Sequence, residues 1–160
     1  MNTYRAGIDI GSTTVKLVLL DEEGKLLFGE YRRHCAHTQE ALSALLREAR
    51  EQVGDCALRA KITGSGAINL AKALGIPFVQ EVVAVADALR REAPQTDVAI
   101  ELGGEDAKII YFDGGIEQRM NGTCAGGTGA FIDQMATLLH TDASGLNELA
   151  ANATTIYPIA

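Results

Sequence analysis

An internal repeat is the feature of this sequence that most constrains its fold. Residues 7–16 read GIDIGSTTVK, and residues 99–108 read AIELGGEDAK. Each copy carries an acid two positions before a glycine and a lysine five positions after it. Asp21 and Asp113 extend the correspondence. Two copies of one pattern predict two copies of one structural unit.

Each copy is predicted to form a three-stranded antiparallel meander. An apolar strand leads into the polar or glycine turn, and a second strand follows at residues 15–20 or 107–112. Further turns at Asp21–Gly24 and Asp113–Gly115 precede third strands near residues 25–31 and 116–120.

The chain after the first meander predicts alternating helices and strands. Leucines at helical spacing after Thr38 predict a helix, with Thr38 as the expected N-cap. A strand is predicted at residues 58–63. A second helix is predicted at residues 67–74, where Gly75 ends it. A short strand at Pro77–Gln80 and a helix near 82–89 complete a first lobe, residues 1–96. Residues 97–160 then begin a second lobe, with a strand at 98–102 and helices near 130–139 and 143–153. Because this lobe is shorter than the first, we expect a fragment of a longer protein.

Composition excludes several classes of function. The net charge of −7 over 160 residues, without a block of like charge, argues against nucleic acid or an anionic membrane as the partner. No apolar stretch approaches the roughly 20 residues that span a bilayer. The three cysteines form no CxxC pair, which disfavours a disulfide framework. We expect a cytoplasmic protein.

The two turns are predicted to bind phosphate. Small and hydroxyl residues let backbone N–H groups approach an anion closely, and lysine adds positive charge. The first turn offers Gly11, Ser12, Thr13, Thr14 and Lys16, and the second offers Gly103, Gly104, Asp106 and Lys108. Asp9 and Glu101 occupy equivalent positions, where their oxygens can hold Mg²⁺ through its waters.

These motifs resemble the phosphate-1 and phosphate-2 hairpins of the actin-like ATPase superfamily, whose two ribonuclease H-like lobes close on a nucleotide. That resemblance implies an α/β fold with mixed sheets flanked by helices and duplicated lobes, the second incomplete here. Three segments narrow it further: GIDIGSTTVKLVLLD, ELGGEDAK and NGTCAGGTGAFIDQMA. They resemble the BadF/BadG/BcrA/BcrD-type activator (archerase) ATPases of 2-hydroxyacyl-CoA dehydratases and benzoyl-CoA reductases.

The resemblance implies ATP and Mg²⁺ as cofactors and a homodimer sharing one 4Fe-4S cluster. It also implies that ATP would drive a change of shape, and that the cluster would donate a low-potential electron to a CoA-substrate dehydratase or reductase. Cys124 would hold the cluster, and the second cysteine of the family would lie beyond Ala160. Gly127 and Thr128 open the following helix and would contact cluster or phosphate.

Two residues depart from the family pattern. Glu101 stands where aspartate is usual, and Glu105 stands where the family has glutamine. We assign Asp9, Glu101 and Glu105 as candidate catalytic residues, with the effect of both glutamates on hydrolysis left open.

Two alternative functions stay open on the same fold: a metabolite kinase acting on a sugar or carboxylate, and a non-catalytic, nucleotide-dependent actin-like module. The pattern around His34, Cys35 and His37 matches no strong zinc signature, and we interpret it as a plain loop. The Gly64–Gly66 turn is either a γ-phosphate sensor or a simple connection.

Overall fold

The computed structural model describes residues 2–120 and 128–156, which form two compact units. The first unit holds the described residues up to Asp97 together with Phe112–Ile116. Its elements are β1 (Thr3–Ile10), β2 (Thr14–Leu20), β3 (Leu26–Arg33), α1 (Thr38–Val53), β4 (Ala57–Thr63), α2 (Ile68–Leu74) and α3 (Glu81–Glu92). The second unit contains β5 (Val98–Leu102), β6 (Ala107–Tyr111), β7 (Glu117–Met120), α4 (Gly129–Leu138) and α5 (Ala143–Ala151). None of these helices is long and apolar enough to cross a membrane.

A mixed four-stranded sheet, in the order β3-β2-β1-β4, organises the first unit. The meander β1-β2-β3 is antiparallel, whereas β4 runs parallel to β1. A parallel neighbour requires a crossover connection, and α1 supplies it. The alternation of strands and helices predicted from the sequence is therefore confirmed.

One face of this sheet forms the core of the first unit with α1. Apolar residues alternate along β1 and β2 because successive side chains point to opposite faces of a strand. Helix α1 presents a stripe of apolar residues at helical spacing to the same face. The buried residues of this core include Ile8, Ile10, Val15, Leu17, Leu19, Leu42, Leu45, Ala49 and Ile62.

A salt bridge joins α1 to the edge strand β3. Both guanidinium nitrogens of Arg32 donate to the Glu48 carboxylate, at 3.0 and 2.8 Å. The guanidinium of Arg32 lowers the pKa of Glu48 because the hydrogen bonds favour the ionised carboxylate. Both side chains are substantially exposed, so solvent screens the pair and packing of the apolar stripe remains the main attachment of α1.

The second unit begins with an antiparallel meander in the order β5-β6-β7. Ile110 on β6 is fully buried, and Ala136 on α4 is buried as well. Helices α4 and α5 pack against each other. Both meanders predicted from the repeat are thus present.

Two local predictions are wrong. Helix α1 begins at Thr38, but its N-cap is His37, and no side chain caps the helix. The expected strand at Pro77–Gln80 is reduced to one parallel bridge between Phe78 and Ile62. Proline has no N–H to donate, which limits the ladder that this segment can form.

Gly64 lies directly against the end of β1. Its φ of 104° falls in the region that favours glycine, and a Cβ added there would clash with the carbonyl of Ile10. The same Cβ would lie 2.6 Å from Oδ1 of Asp9. Gly66 N–H donates to the Ile10 carbonyl at 2.9 Å, so the turn after β4 is fastened to the strand that carries Asp9.

We expect Gly64→Ala to destabilise the protein by about 3 kcal/mol, since backbone strain adds to a clash with main-chain atoms. Gly75→Ala is the matched control, because Gly75 also has positive φ, in the left-handed helical region, but has no atom within 4 Å of the added Cβ. This control should cost only about 1 kcal/mol. Urea unfolding of both variants measures the difference, and equal losses would contradict the close approach of Gly64 to β1.

Candidate functional site

The two repeated hairpins have the same backbone geometry. Asp9 lies opposite Lys16 in the β1-β2 pair, and Glu101 lies opposite Lys108 in the β5-β6 pair. Each turn is closed by one backbone hydrogen bond from its glycine N–H. Gly11 donates to the Thr14 carbonyl at 2.9 Å, and Gly103 donates to the Asp106 carbonyl at 2.8 Å. The sequence repeat is therefore also a repeat of register and turn closure.

In each hairpin the lysine forms an ion pair with the acid across the strands. Nζ of Lys16 is 2.6 Å from Oδ2 of Asp9, and Nζ of Lys108 is 3.2 Å from Oε1 of Glu101. All four side chains are partly exposed or half-buried. In each pair the ammonium group can bind a phosphate oxygen. The carboxylate can bind a hydrated cation. Each pair therefore has one group for the phosphate and one for the metal of a metal–phosphate ligand.

The Asp9–Lys16 pair belongs to a row of residues that crosses all four strands. The sheet register places Thr63 beside Asp9 and Tyr31 beside Lys16. The ammonium group of Lys16 lies 5.7 Å from the centroid of the Tyr31 ring, within cation–π range. Lys16 is thus held between a carboxylate and an aromatic face.

The Thr63 hydroxyl has no hydrogen-bond partner although its Oγ1 is buried. Sequence reasoning missed both Thr63 and Tyr31, because only the pairing of β4 and β3 with the hairpin brings them to this row. The one available signal was the position of Thr63 immediately before the Gly64–Gly66 turn. A buried hydroxyl without a partner costs free energy and is an exception that calls for a ligand or water.

A cavity of about 460 Å³ opens beside this row, on the sheet face opposite α1. Asp9, Lys16 and Thr63 provide polar lining, and α3 contributes one wall. Its apolar lining includes Val18, Val79, Ala84 and Ala88. The acid, the lysine and the orphaned hydroxyl of the first unit therefore share one concave space.

The remaining residues of the turns differ in accessibility. Ser12 is exposed, Thr13 is half-buried and Thr14 is buried, so the first two hydroxyls are the more accessible donors. In the second turn Gly103 and Gly104 are half-buried, whereas Glu105 and Asp106 are exposed.

Helix α4 is attached by its N-terminus to the second turn. Gly129 N–H donates to the Gly103 carbonyl, and Ala130 N–H donates to the Gly104 carbonyl, both at 2.9 Å. Thr128, the N-cap residue, is fully buried. Two of the first amides of α4 thus hold the turn in place. The predicted cluster residue Cys124, and Gly127, lie outside the described residues.

The Glu101 carboxylate of the second hairpin can accept hydrogen bonds from the waters of a magnesium ion. Oε2 of Glu101 is buried and has no hydrogen-bond partner, which leaves a hard oxygen with free acceptor capacity. Within residues 2–120 and 128–156, no three His, Cys, Asp or Glu side chains are grouped to bind a metal directly. Mg²⁺ keeps several of its waters in proteins, so a carboxylate can contact the ion through water.

The mixed sheet, the crossover helix and the duplicated hairpins define an actin-like ATPase fold, which is also the fold of the structural neighbours. The profile of the BadF/BadG/BcrA/BcrD ATPase family matches residues 6–158, and the chain belongs to that family.

Three curated relatives and two solved structures that match this chain are activators of CoA-substrate dehydratases or a component of one. The chain is 31% identical to the (R)-2-hydroxyglutaryl-CoA dehydratase activating ATPase of Acidaminococcus fermentans, covering 96% of this chain and 60% of the relative. It is 32% identical to the activator of lactoyl-CoA dehydratase of Anaerotignum propionicum, covering 98% and 61%. The structure of the activator of the 2-hydroxyisocaproyl-CoA dehydratase from Clostridium difficile with bound ADPNP matches with a TM-score of 0.86 and 30% identity, covering 98% and 59%. The chain therefore spans about 60% of the length of these relatives.

We expect Thr63→Val to separate stability from ligand binding. Valine keeps the volume and removes a buried hydroxyl without a partner, so the melting temperature should stay the same or rise. If the hydroxyl serves the ligand, Mg-ATP affinity should fall about fivefold, the contribution of one hydrogen bond. Thr3→Val, at the far end of the same β1-β4 pair, is the control. A lower melting temperature with unchanged affinity would show that Thr63 is purely structural.

Proposed function

We propose that this chain is the larger part of an ATP-binding and ATP-hydrolysing activator of a CoA-substrate dehydratase or reductase. The observation that carries the proposal is the duplicated acid–lysine hairpin, with the same register and turn closure in both units. Membership of an ATPase family and the bound ADPNP of a solved neighbour support it. The names of the relatives supply the class of partner, an enzyme acting on a 2-hydroxyacyl-CoA.

In this proposal each turn binds phosphate oxygens of Mg-ATP. Backbone N–H groups and the Ser12 and Thr13 hydroxyls of the first turn donate to phosphate, and Gly103 and Gly104 allow close approach at the second. Lys16 and Lys108 balance phosphate charge, while Asp9 and Glu101 accept hydrogen bonds from the waters of Mg²⁺. The ion would neutralise charge that develops on the transferred phosphoryl group.

Glu105 is our candidate for orienting the attacking water. Its side chain is exposed at the second turn, and a carboxylate accepts a proton from water. Water adds to the γ-phosphorus as the bond to the ADP oxygen breaks, which yields ADP and phosphate. ATP and ADP differ only in that γ-phosphate. A conformation of the protein that binds the γ-phosphate more tightly is therefore favoured with ATP bound and is no longer favoured after hydrolysis.

We further propose that Cys124 holds a 4Fe-4S cluster shared by two subunits, and that the cluster passes an electron to the dehydratase or reductase. This part rests on the resemblance of the segment NGTCAGGTGAFIDQMA to the activator family. A cluster shared by two symmetry-related loops requires a homodimer. It also needs a second cysteine from each subunit, which the resemblance to the activator family assigns to residues that follow Ala160 in a longer protein.

Substitution of the two acids tests nucleotide binding. Asp9→Asn and Glu101→Gln keep shape and remove charge, so we expect each to weaken Mg-ATP binding at least about tenfold, the effect of about 1.4 kcal/mol. Isothermal titration calorimetry with and without Mg²⁺ measures it. Asp113→Asn is a matched control, since Asp113 belongs to the same repeat but lies beyond the turn, and it should bind normally. Undiminished affinity in both acid variants would contradict the proposed site.

Anaerobic reconstitution with iron and sulfide tests the cluster. The protein used is the chain extended at its C-terminus to the length of its relatives, in wild-type, Cys124→Ala and Cys56→Ala forms. We expect visible absorbance and, after reduction with dithionite, a low-temperature paramagnetic resonance signal in the wild type and in Cys56→Ala, and the loss of both in Cys124→Ala. Cluster retention in Cys124→Ala would contradict the electron-transfer role and leave ATP binding untouched.

A further inference from the structure

His34 makes a second attachment between the first turn and the rest of the unit. It follows the last residue of β3, and its side chain is buried, with a residue exposure of 9%. Its backbone N–H donates to the Thr13 carbonyl at 3.1 Å, and its ring Nε2 lies 3.2 Å from the Gly11 carbonyl oxygen. Two carbonyl groups of the turn are therefore bound by one residue.

The neighbours of His34 fix which nitrogen carries the proton. Ala36 N–H donates to Nδ1 at 3.1 Å, so Nδ1 must be an unprotonated acceptor. The Gly11 carbonyl can only accept, so Nε2 must carry the hydrogen of a neutral ring. The ring therefore has one tautomer, with Nε2–H donating to Gly11.

An unusual backbone brings Ala36 to this position. Cys35 and Ala36 have φ of 45° and 68°, although neither is glycine. Left-handed backbone costs an ordinary residue roughly 1–2 kcal/mol, and such conformations persist where the surroundings enforce them. Here the bend turns Ala36 N–H back onto the imidazole and lets His37 N–H donate to the His34 carbonyl at 2.7 Å.

The hydrogen bond to Gly11 sets the direction of the next amide. The peptide between Gly11 and Ser12 is planar and trans, so Ser12 N–H points opposite to the Gly11 carbonyl. Because that carbonyl faces the buried imidazole, Ser12 N–H faces away from it. A turn held this way presents its amide before a ligand arrives, which lowers the ordering cost of binding.

We propose that His34 is a positioning residue for nucleotide phosphate: its Nε2–H locks the Gly11–Ser12 peptide so that Ser12 N–H is directed at a phosphate oxygen. The inference rests on the proposed function, since it assumes that the first turn binds Mg-ATP. It replaces the plain-loop interpretation of the segment His34–His37. In this proposal the strained backbone of Cys35 and Ala36 fixes the tautomer, because it directs Ala36 N–H at Nδ1.

Two variants of His34 and a control test the proposal. His34→Gln keeps a donor at the Nε2 position and an acceptor for Ala36, whereas His34→Leu fills the space without either. We expect the Kd of Mg-ATP to rise about tenfold in His34→Leu, as for one lost hydrogen bond with its positioning, and to recover largely in His34→Gln. His37→Gln alters an exposed histidine of the same loop and should change nothing.

A spectroscopic measurement tests the His34 tautomer independently of nucleotide binding. Nitrogen-15 NMR of the histidine ring distinguishes the two neutral tautomers, and we expect Nε2–H for His34 in the unliganded wild type. The Nδ1–H tautomer would overturn the proposal whether or not His34→Leu folds. Wild-type affinity retained in His34→Leu would overturn it too, while leaving the proposed function intact. Failure of the wild type itself to bind Mg-ATP would instead refute the proposed function, and the inference with it.

Discussion

The pairing of an acid with a lysine directly across a tight hairpin is the constraint on which the rest of this structure depends. It agrees with the register of β1 with β2 and of β5 with β6, because a slip of one residue would move the lysine to the sheet face opposite the acid. In the first unit that opposite face packs against α1 and is apolar. The hydrophobic core and the candidate site therefore specify the same register from the two sides of the sheet.

The first turn is held by residues that are remote from it in sequence. Gly66 and the close approach of Gly64 fasten the Asp9 strand from the side of β4, and His34 binds the turn from the side of β3. The second turn is held differently, by backbone amides of α4. The two hairpins thus share one backbone geometry, but different parts of the chain hold their turns in place. A turn with fixed carbonyl directions presents its amides without reorganisation, which is the property that a phosphate site requires.

Membership of the BadF/BadG/BcrA/BcrD ATPase family gives these geometric features a common explanation. The family profile covers the residues of both acids and both glycine turns. It does not explain why a histidine with a strained neighbour is buried against the first turn, and that detail follows only from hydrogen bonds of this chain. A glutamate such as Glu101 reaches one methylene further than an aspartate, and here it leaves one carboxylate oxygen buried without a partner.

The sequence alone determined the fold class, the two hairpins and the equivalent positions of Asp9 and Glu101 within them. Those features are encoded by local period, turn residues and a repeat, which are all readable along the chain. The predicted N-cap at Thr38 was wrong, because the N-cap is His37. The predicted strand at Pro77–Gln80 was wrong as well, because proline has no N–H to donate to a ladder. Only the tertiary structure brought Thr63 and Tyr31 into the row with Asp9 and Lys16, and only it turned His34 from a loop residue into a support of the first turn. Strand pairing over long sequence separations decides such contacts, and no local pattern records which strands will be neighbours.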